Sequence, residues 1–336
     1  MTTHKLYYIY KGLSISLVCM LITTSGFAAP AYAEGLSLKV APSILQIHAI
    51  PPAEVQTPLT IVNDSNQTMQ LRVLFKIFKP AGDESGQLVY SNPQLSSESQ
   101  KETFLKNVRL VDNGIALNTL SLGPKQKKDL QLNITIPKDA KVTDYYFSLL
   151  FLTEPTKNVE QDASDTENTS VYLQSGLSVP VLLGVGPITS PNAYIEEFSA
   201  PVFSQSGPVP FKVRMKNSGA HFVTPKGVIL IKNLFGQNVG RVALPATNIL
   251  AGTTRAFTNM DTLPEPYKSP VVKWPEKFLL GFYTATISLA VADEGPIYTR
   301  SIYFAAFPAQ FLIGLFLVII LGSVFIFQIK KRLAKE

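Results

Sequence analysis

Few residues in this chain have chemistry to offer. Three histidines and one cysteine are present, and His4 and Cys19 fall in the amino-terminal stretch, which leaves His48 and His221 as the imidazoles of the remaining chain. Neither stands at a metal-ligand spacing or beside a nucleophile. No Gly-x-Ser-x-Gly turn accompanies the serines, and no glycine loop is written for phosphate. A hydrolase would have to assemble a triad from distant positions, with one of these imidazoles as its base. His48 instead alternates with Ile44 and Ile50 and reads as a strand residue with a local partner. Glu154, Glu160, Asp162, Asp165 and Glu167 match no calcium-loop spacing. The expected sets are therefore catalytic none, cofactor-binding none and metal none, in a non-enzymatic protein.

The two ends of the chain set where these residues would reside. Lys5 and Lys11 precede an apolar stretch that ends in Ala31-Tyr32-Ala33, the small-x-small pattern of signal cleavage, which predicts a signal peptide over 1–33 and a mature start at Glu34. Gly26-Phe27-Ala28 offers a competing cut. Cys19 does not make a lipoprotein signal, because Val18 stands where a small residue is required. At the other end the run from 309 to 329 carries no charge, and Lys330, Lys331 and Arg332 follow it. At about 1.5 Å per residue such a run covers the roughly 30 Å hydrocarbon core. The expectation is a transmembrane helix over 307–329, a basic stop and a cytoplasmic tail over 330–336. By the positive-inside rule the protein is then a single-pass protein of the plasma membrane with its amino-terminal part outside the cytoplasm. Gly314 and Gly322 are eight residues apart, so no GxxxG dimer surface is written.

Charge and cysteine content narrow the function classes. The whole chain has a net charge of +6. Without the signal and the tail, 30 basic residues fall to 24 and 24 acidic ones to 23, a net charge of +1. A nearly neutral body has no electrostatic footprint for nucleic acid. A mature chain without cysteine holds together through its cores, not through disulfides.

Between the ends the grammar is that of strands and turns. Leu71, Val73, Phe75 and Ile77 make one apolar face, and so do Leu130, Leu132, Ile134 and Ile136, a period of two that places one face of each strand in a core. Further strands are expected over 36–40, 44–50, 59–62, 145–153 and 171–185, with Pro58 between strands and an acidic loop over 154–170. Two glycines and two prolines within 184–191 mark a domain boundary. A second set follows over 209–216, 227–231, 239–244, 255–258, 278–291 and 297–305, with Asn217-Ser-Gly219 and Asn233-Leu-Phe-Gly236 as turns and 264–275 as a proline-rich surface loop. The expected fold is all-β: two immunoglobulin-like β-sandwich domains in tandem, 34–187 and 188–306, plus the carboxy-terminal helix. Tyr145, Tyr146 and Phe147 are divided by alternation between core and surface. Asn63, Asn66, Asn133 and Asn168 head formal glycosylation sequons.

Laid out this way, the chain resembles the bacterial cell-surface proteins that interact with WxL proteins. The resemblance rests on Val40-Ala-Pro42, Pro52-Ala-Glu-Val-Gln-Thr-Pro-Leu-Thr-Ile-Val-Asn63, Gly86-Gln-Leu-Val-Tyr-Ser91, the segment from Gly123 to Pro137, and Leu280-Gly-Phe-Tyr-Thr-Ala285. It implies a peptidoglycan-binding immunoglobulin-like domain, a second such domain, a membrane helix, and a surface protein or cell-wall polymer as partner. Asp144-Tyr-Tyr-Phe-Ser148 stands where that family has a glycine pair, and no binding residue is carried over. The first domain also resembles periplasmic pilus chaperones, which implies the alternative of a membrane-tethered chaperone or assembly factor for exported subunits acting by β-strand addition.

Overall fold

The structure, a computed structural model, describes residues 37–82, 84, 86–90, 103–153, 156–158, 171–173, 175–187, 191–259, 270–291 and 295–333. Ala31, Ala33 and Glu34, Cys19, most of the acidic stretch and the sequon at Asn168 lie outside them.

The first thirteen strands are β1 (Leu38–Ala41), β2 (Leu45–Ala49), β3 (Ala53–Asn63), β4 (Met69–Pro80), β5 (Leu88–Tyr90), β6 (Val108–Asp112), β7 (Ile115–Ala116), β8 (Thr119–Leu122), β9 (Lys127–Ile136), β10 (Thr143–Thr153), β11 (Thr156–Asn158), β12 (Val171–Leu173) and β13 (Gly176–Val185). One sheet runs β1-β3-β9-β6-β7; the other runs β2-β13-β10-β4-β5, with β8 also on β4. Alternation explains their packing. Leu71, Val73 and Ile77 of β4 and Leu130, Leu132, Ile134 and Ile136 of β9 are buried, together with Phe147, Leu149 and Phe151 of β10. Tyr145 and Phe147 enter this core, where Tyr145 stacks on Phe104 at 4.1 Å, whereas Tyr146 points the other way.

The remaining strands are β14 (Ala193–Ser199), β15 (Phe203–Ser204), β16 (Val209–Asn217), β17 (Lys226–Asn233), β18 (Asn238–Leu244), β19 (Thr254–Ala256), β20 (Val272–Trp274), β21 (Gly281–Ala290) and β22 (Ile297–Ala306). They form the sheets β14-β16-β19, with β20 also on β16, and β15-β22-β21-β17-β18. A single cluster that includes Phe211, Val213, Ile229, Trp274, Ile287 and Phe304 fills the space between them. No described strand is shared between the sheets of residues 38–185 and those of 193–306.

Two local expectations change for identifiable reasons. Pro58 lies inside β3, paired opposite Gln131 of β9. The ladder to β1 ends at Ala41 opposite Thr60, so the N–H that proline lacks falls where no neighbour needs it. Part of the expected proline-rich loop is β20, because Val272 and Trp274 alternate inward around Lys273 and are buried.

The carboxy-terminal helix α1 (Ala309–Leu333) has 25 residues. Among the described residues no helix is long and apolar enough to cross a membrane. This corrects the expected single-pass span over 307–329 and, with it, the membrane as a partner. Lys330, Lys331 and Arg332, expected as a stop, belong to the last turns of α1.

Both sandwiches use the same buried asparagine to close a turn. Asn63, fully buried, donates from Nδ2 to the carbonyls of Gln67 (2.7 Å) and Gly123 (2.8 Å), and its Oδ1 accepts the Ser65 N–H (3.0 Å). Asn217, also fully buried, donates to the carbonyls of His221 (2.8 Å) and Ile249 (3.1 Å) and accepts the Gly219 N–H (2.9 Å). Each side chain replaces backbone partners that the turn has lost. The first sequon is thus structural, since its amide is enclosed by carbonyls, while Asn66 is exposed.

Candidate functional site

The chemistry-bearing residues converge where the two sandwiches meet. His48 on β2 lies beside Gly184 on β13, which lies beside Asp144 on β10, so one row across three strands carries an imidazole, a gap and a carboxylate. The gap is required. A Cβ on Gly184 would come within 2.5 Å of His48 Nδ1, and replacing Gly184 with alanine is expected to destabilise the fold by about 1–3 kcal/mol through overpacking. Urea denaturation of the variant checks this.

Asp144 is only 3% exposed, and among the described residues its hydrogen-bond partners are organised donors. Its Oδ1 lies 2.6 Å from His221 Nδ1, its Oδ2 accepts the Phe222 N–H at 2.6 Å, and the Tyr146 hydroxyl donates to the same Oδ2 at 2.5 Å. The Tyr146 oxygen in turn accepts the Ala251 N–H at 3.1 Å. His48 stacks on Phe222 at 4.6 Å between ring centroids and stands edge-on to His221 at 6.0 Å. A carboxylate of the first sandwich is thereby satisfied mostly by the second. Partial burial holds the His48 imidazole below its ordinary pKa, against the pull of Asp144 and with the help of His221. Burial, and then the Asp144 charge and hydrogen bond, push the Tyr146 phenol upward, so it remains a donor.

Further contacts join the sandwiches. The carbonyl of Glu84 accepts the Ala256 N–H at 3.1 Å, and its carboxylate lies 2.6 Å from Arg214 Nη2, which also meets Glu196 at 2.9 Å. Gly86 has φ +77°, and the Arg255 guanidinium covers it so closely that a Cβ there would coincide with Nη1. Phe78 and Leu182 of the first sandwich pack with Phe222 and Leu250 of the second in a small apolar cluster. Beside this cluster lies a cleft of about 310 Å³, with Ile44, Phe78, Leu88 and Leu182 on one side and Thr247 and Leu250 on the other.

The second feature with binding chemistry is an edge. β10 pairs with β13 over 176–185, whereas β2 covers only 181–185 on the opposite side. The Ser175 carbonyl accepts the Thr153 N–H, so alternate residues beyond it, Gly176, Ser178 and Pro180, turn their backbone groups away from β10. Among the described residues no strand pairs with 176–180 on that side. Pro180, which has no N–H, sits where β2 begins. The Ser178 hydroxyl is 2.7 Å from the Tyr90 hydroxyl.

His48 and His221 belong to separate domains by sequence and share no spacing; the structure brings them together through Asp144, which no motif in the sequence marks. The available signal was an acid within Asp144-Tyr-Tyr-Phe, a strand otherwise buried. Hydrogen bonds from this cluster run to backbone and phenol across the junction, which makes it a clasp.

No protein-family profile and no curated protein matches the sequence. Among solved structures, the chain is similar to the CupB2 chaperone of Pseudomonas aeruginosa at 9% identity, over 80% of this chain and 100% of that one, with a TM-score of 0.36. It is similar to a chain of the complex of the SafB chaperone with SafA pilin of Salmonella enterica at 10% identity, over 80% and 97%, with a TM-score of 0.35. The CsuC–CsuE chaperone–tip subunit complex of Acinetobacter baumannii gives 12% identity, over 80% and 98%, and a TM-score of 0.35.

Proposed function

We propose that this protein is a non-enzymatic chaperone or assembly factor that holds an exported partner polypeptide by β-strand addition along residues 176–180 of β13. Export, expected from residues 1–33, is part of the proposal. The observation that carries it is the register of β13: one side is paired throughout, while the other, among the described residues, is paired only from Val181 onward. An extended segment laid there gains backbone hydrogen bonds from Gly176 and Ser178, each worth about 1 kcal/mol net. The neighbouring side chain Leu177 is half-buried and offers apolar contact to the facing side chain of the added strand.

Replacing Ser178 with proline removes an outward N–H while leaving the ladder to β10 intact. Ser178→Ala removes only the hydroxyl contact to Tyr90. The full chain is used to capture partners from an envelope extract, and these are identified by mass spectrometry. S178P is expected to lose capture about tenfold or more with an unchanged circular dichroism spectrum, and S178A to retain it. Equal capture by S178P, or equal loss in both variants, contradicts strand addition at this edge.

A further inference from the structure

The sheet β15-β22-β21-β17-β18 packs one face on the core of the second sandwich, where Tyr283, Ala285, Ile287 and Leu289 of β21 and Phe304 and Ala306 of β22 are buried. The residues between them, at 282, 284, 286, 288 and 290 and at 297, 299, 301, 303 and 305, pair row by row on the outer face, and none is an acid or a base. Outward positions of a water-facing sheet ordinarily carry charge at about three in ten, as β16 does with Lys212, Arg214 and Lys216 in the opposite sheet. Val228 and Leu230 of β17 extend the uncharged rows opposite Ser288 and Thr286. At one end Phe203, Ala305 and Phe282 form a row across three strands, with Tyr303 two residues before Ala305. Phe203, Phe282 and Tyr303 are 53%, 56% and 78% exposed. At roughly 200 Å² for each aromatic side chain they leave about 370 Å² in water, the size of the largest apolar patch on a typical monomer. We infer that this face pairs with the same face of a second copy of the chain, in a two-fold dimer made through the second sandwiches.

The chemistry of the face favours a second copy over an unlike partner. A two-fold contact sets a patch against itself, so a charge near the axis would meet its own kind, and the rows of β21 and β22 hold none. Thr284, Thr286, Ser288, Thr299 and Ser301 carry hydroxyls, which both donate and accept and can satisfy one another across identical faces. Thr286 and Ser301 already do so within the sheet, at 2.8 Å. Lys232 and Arg241 bound the face on the side of β17 and β18, at what becomes the polar rim. The dimensions suffice. Three neighbouring strands about 4.8 Å apart and about 30 Å long outline roughly 430 Å² before the side chains add relief, and the exposed rings at one end carry the accessible area toward the roughly 800 Å² that each partner of a standard interface buries. Two such faces stack about 10 Å apart, as sheets do within a sandwich. Neither the clasp nor the open half of β13 belongs to this face, so the inference stands apart from the strand-addition reading.

Sedimentation velocity of the full chain over a concentration series tests this. The unaltered chain is expected to sediment as a dimer that dissociates on dilution. Thr286→Lys places a cation in the middle row of the face, and Tyr303→Lys replaces the most exposed of its three rings. Each is expected to weaken the dimer about tenfold or more, because like charges then meet across the contact. Unchanged circular dichroism and Trp274 fluorescence show that the second sandwich remains folded, since Trp274 lies in its core. Thr135→Lys adds the same charge on the outer face of β9 in the first sandwich and is expected to leave the dimer intact. A monomer at every concentration in the unaltered chain overturns the inference. So does association that survives both face variants, which would place the contact elsewhere, on α1 for instance, and so does equal loss in all three variants.

Discussion

Replacing Asp144 with alanine is expected to lower the stability of the contact between the sandwiches by about 3–5 kcal/mol, the cost of removing one partner from a buried charged network. Three donors lose their acceptor at once: the His221 ring, the Phe222 N–H and the Tyr146 hydroxyl. Two of them belong to the second sandwich, so the loss should fall on the contact more than on either core. The single tryptophan, Trp274, lies in the core of the second sandwich, whereas circular dichroism reports on both. In urea the two signals are expected to separate for Asp144→Ala and to stay closer in the unaltered protein. Asp144→Asn keeps an acceptor oxygen and should show an intermediate effect. Coincident, unshifted transitions in Asp144→Ala would show that the clasp contributes little.

The second large effect is expected at the paired asparagines. Asn63→Asp and Asn217→Asp keep the shape of the side chain but replace a donor with a carboxylate oxygen that faces backbone carbonyls. Loss of two hydrogen bonds together with a buried, wrongly partnered oxygen predicts about 3 kcal/mol or more at each site. The position of Trp274 makes the two variants distinguishable. Asn217→Asp should lower the midpoint seen by tryptophan fluorescence, and Asn63→Asp should act mainly on the transition seen by circular dichroism. Because the Asn217 amide also holds the His221 carbonyl, Asn217→Asp should loosen the clasp as well.

What the sequence made legible, and what it did not, follows from the range of each interaction. The inward faces of β4 and β9 are written locally, as Leu71, Val73 and Ile77 or Leu130, Leu132, Ile134 and Ile136, because period-two alternation survives wherever one face meets a core. β20 was hidden by the prolines around it, although Val272 and Trp274 already alternate. Phe78, Leu182 and Tyr146 break the alternation of their strands for a reason no local window contains: they pack against the second sandwich. The clasp is the extreme case, since His221 and Asp144 are 77 residues apart and nothing in the spacing of either announces the other. The open half of β13 is equally invisible in sequence, because it depends on where β2 starts. For the carboxy-terminal segment, composition alone pointed to a membrane span that the described residues of α1 do not make.

Strand addition at β13 is tested most directly by site-specific photo-crosslinking of the captured partner. A photoreactive side chain replaces Leu177, which flanks the open edge, or Arg241, which lies on the opposite edge strand β18 of the second sandwich. Crosslinks from position 177 to one short extended segment of the partner, and none from position 241, are the expected result. Crosslinks from position 241 with none from position 177 would contradict the account.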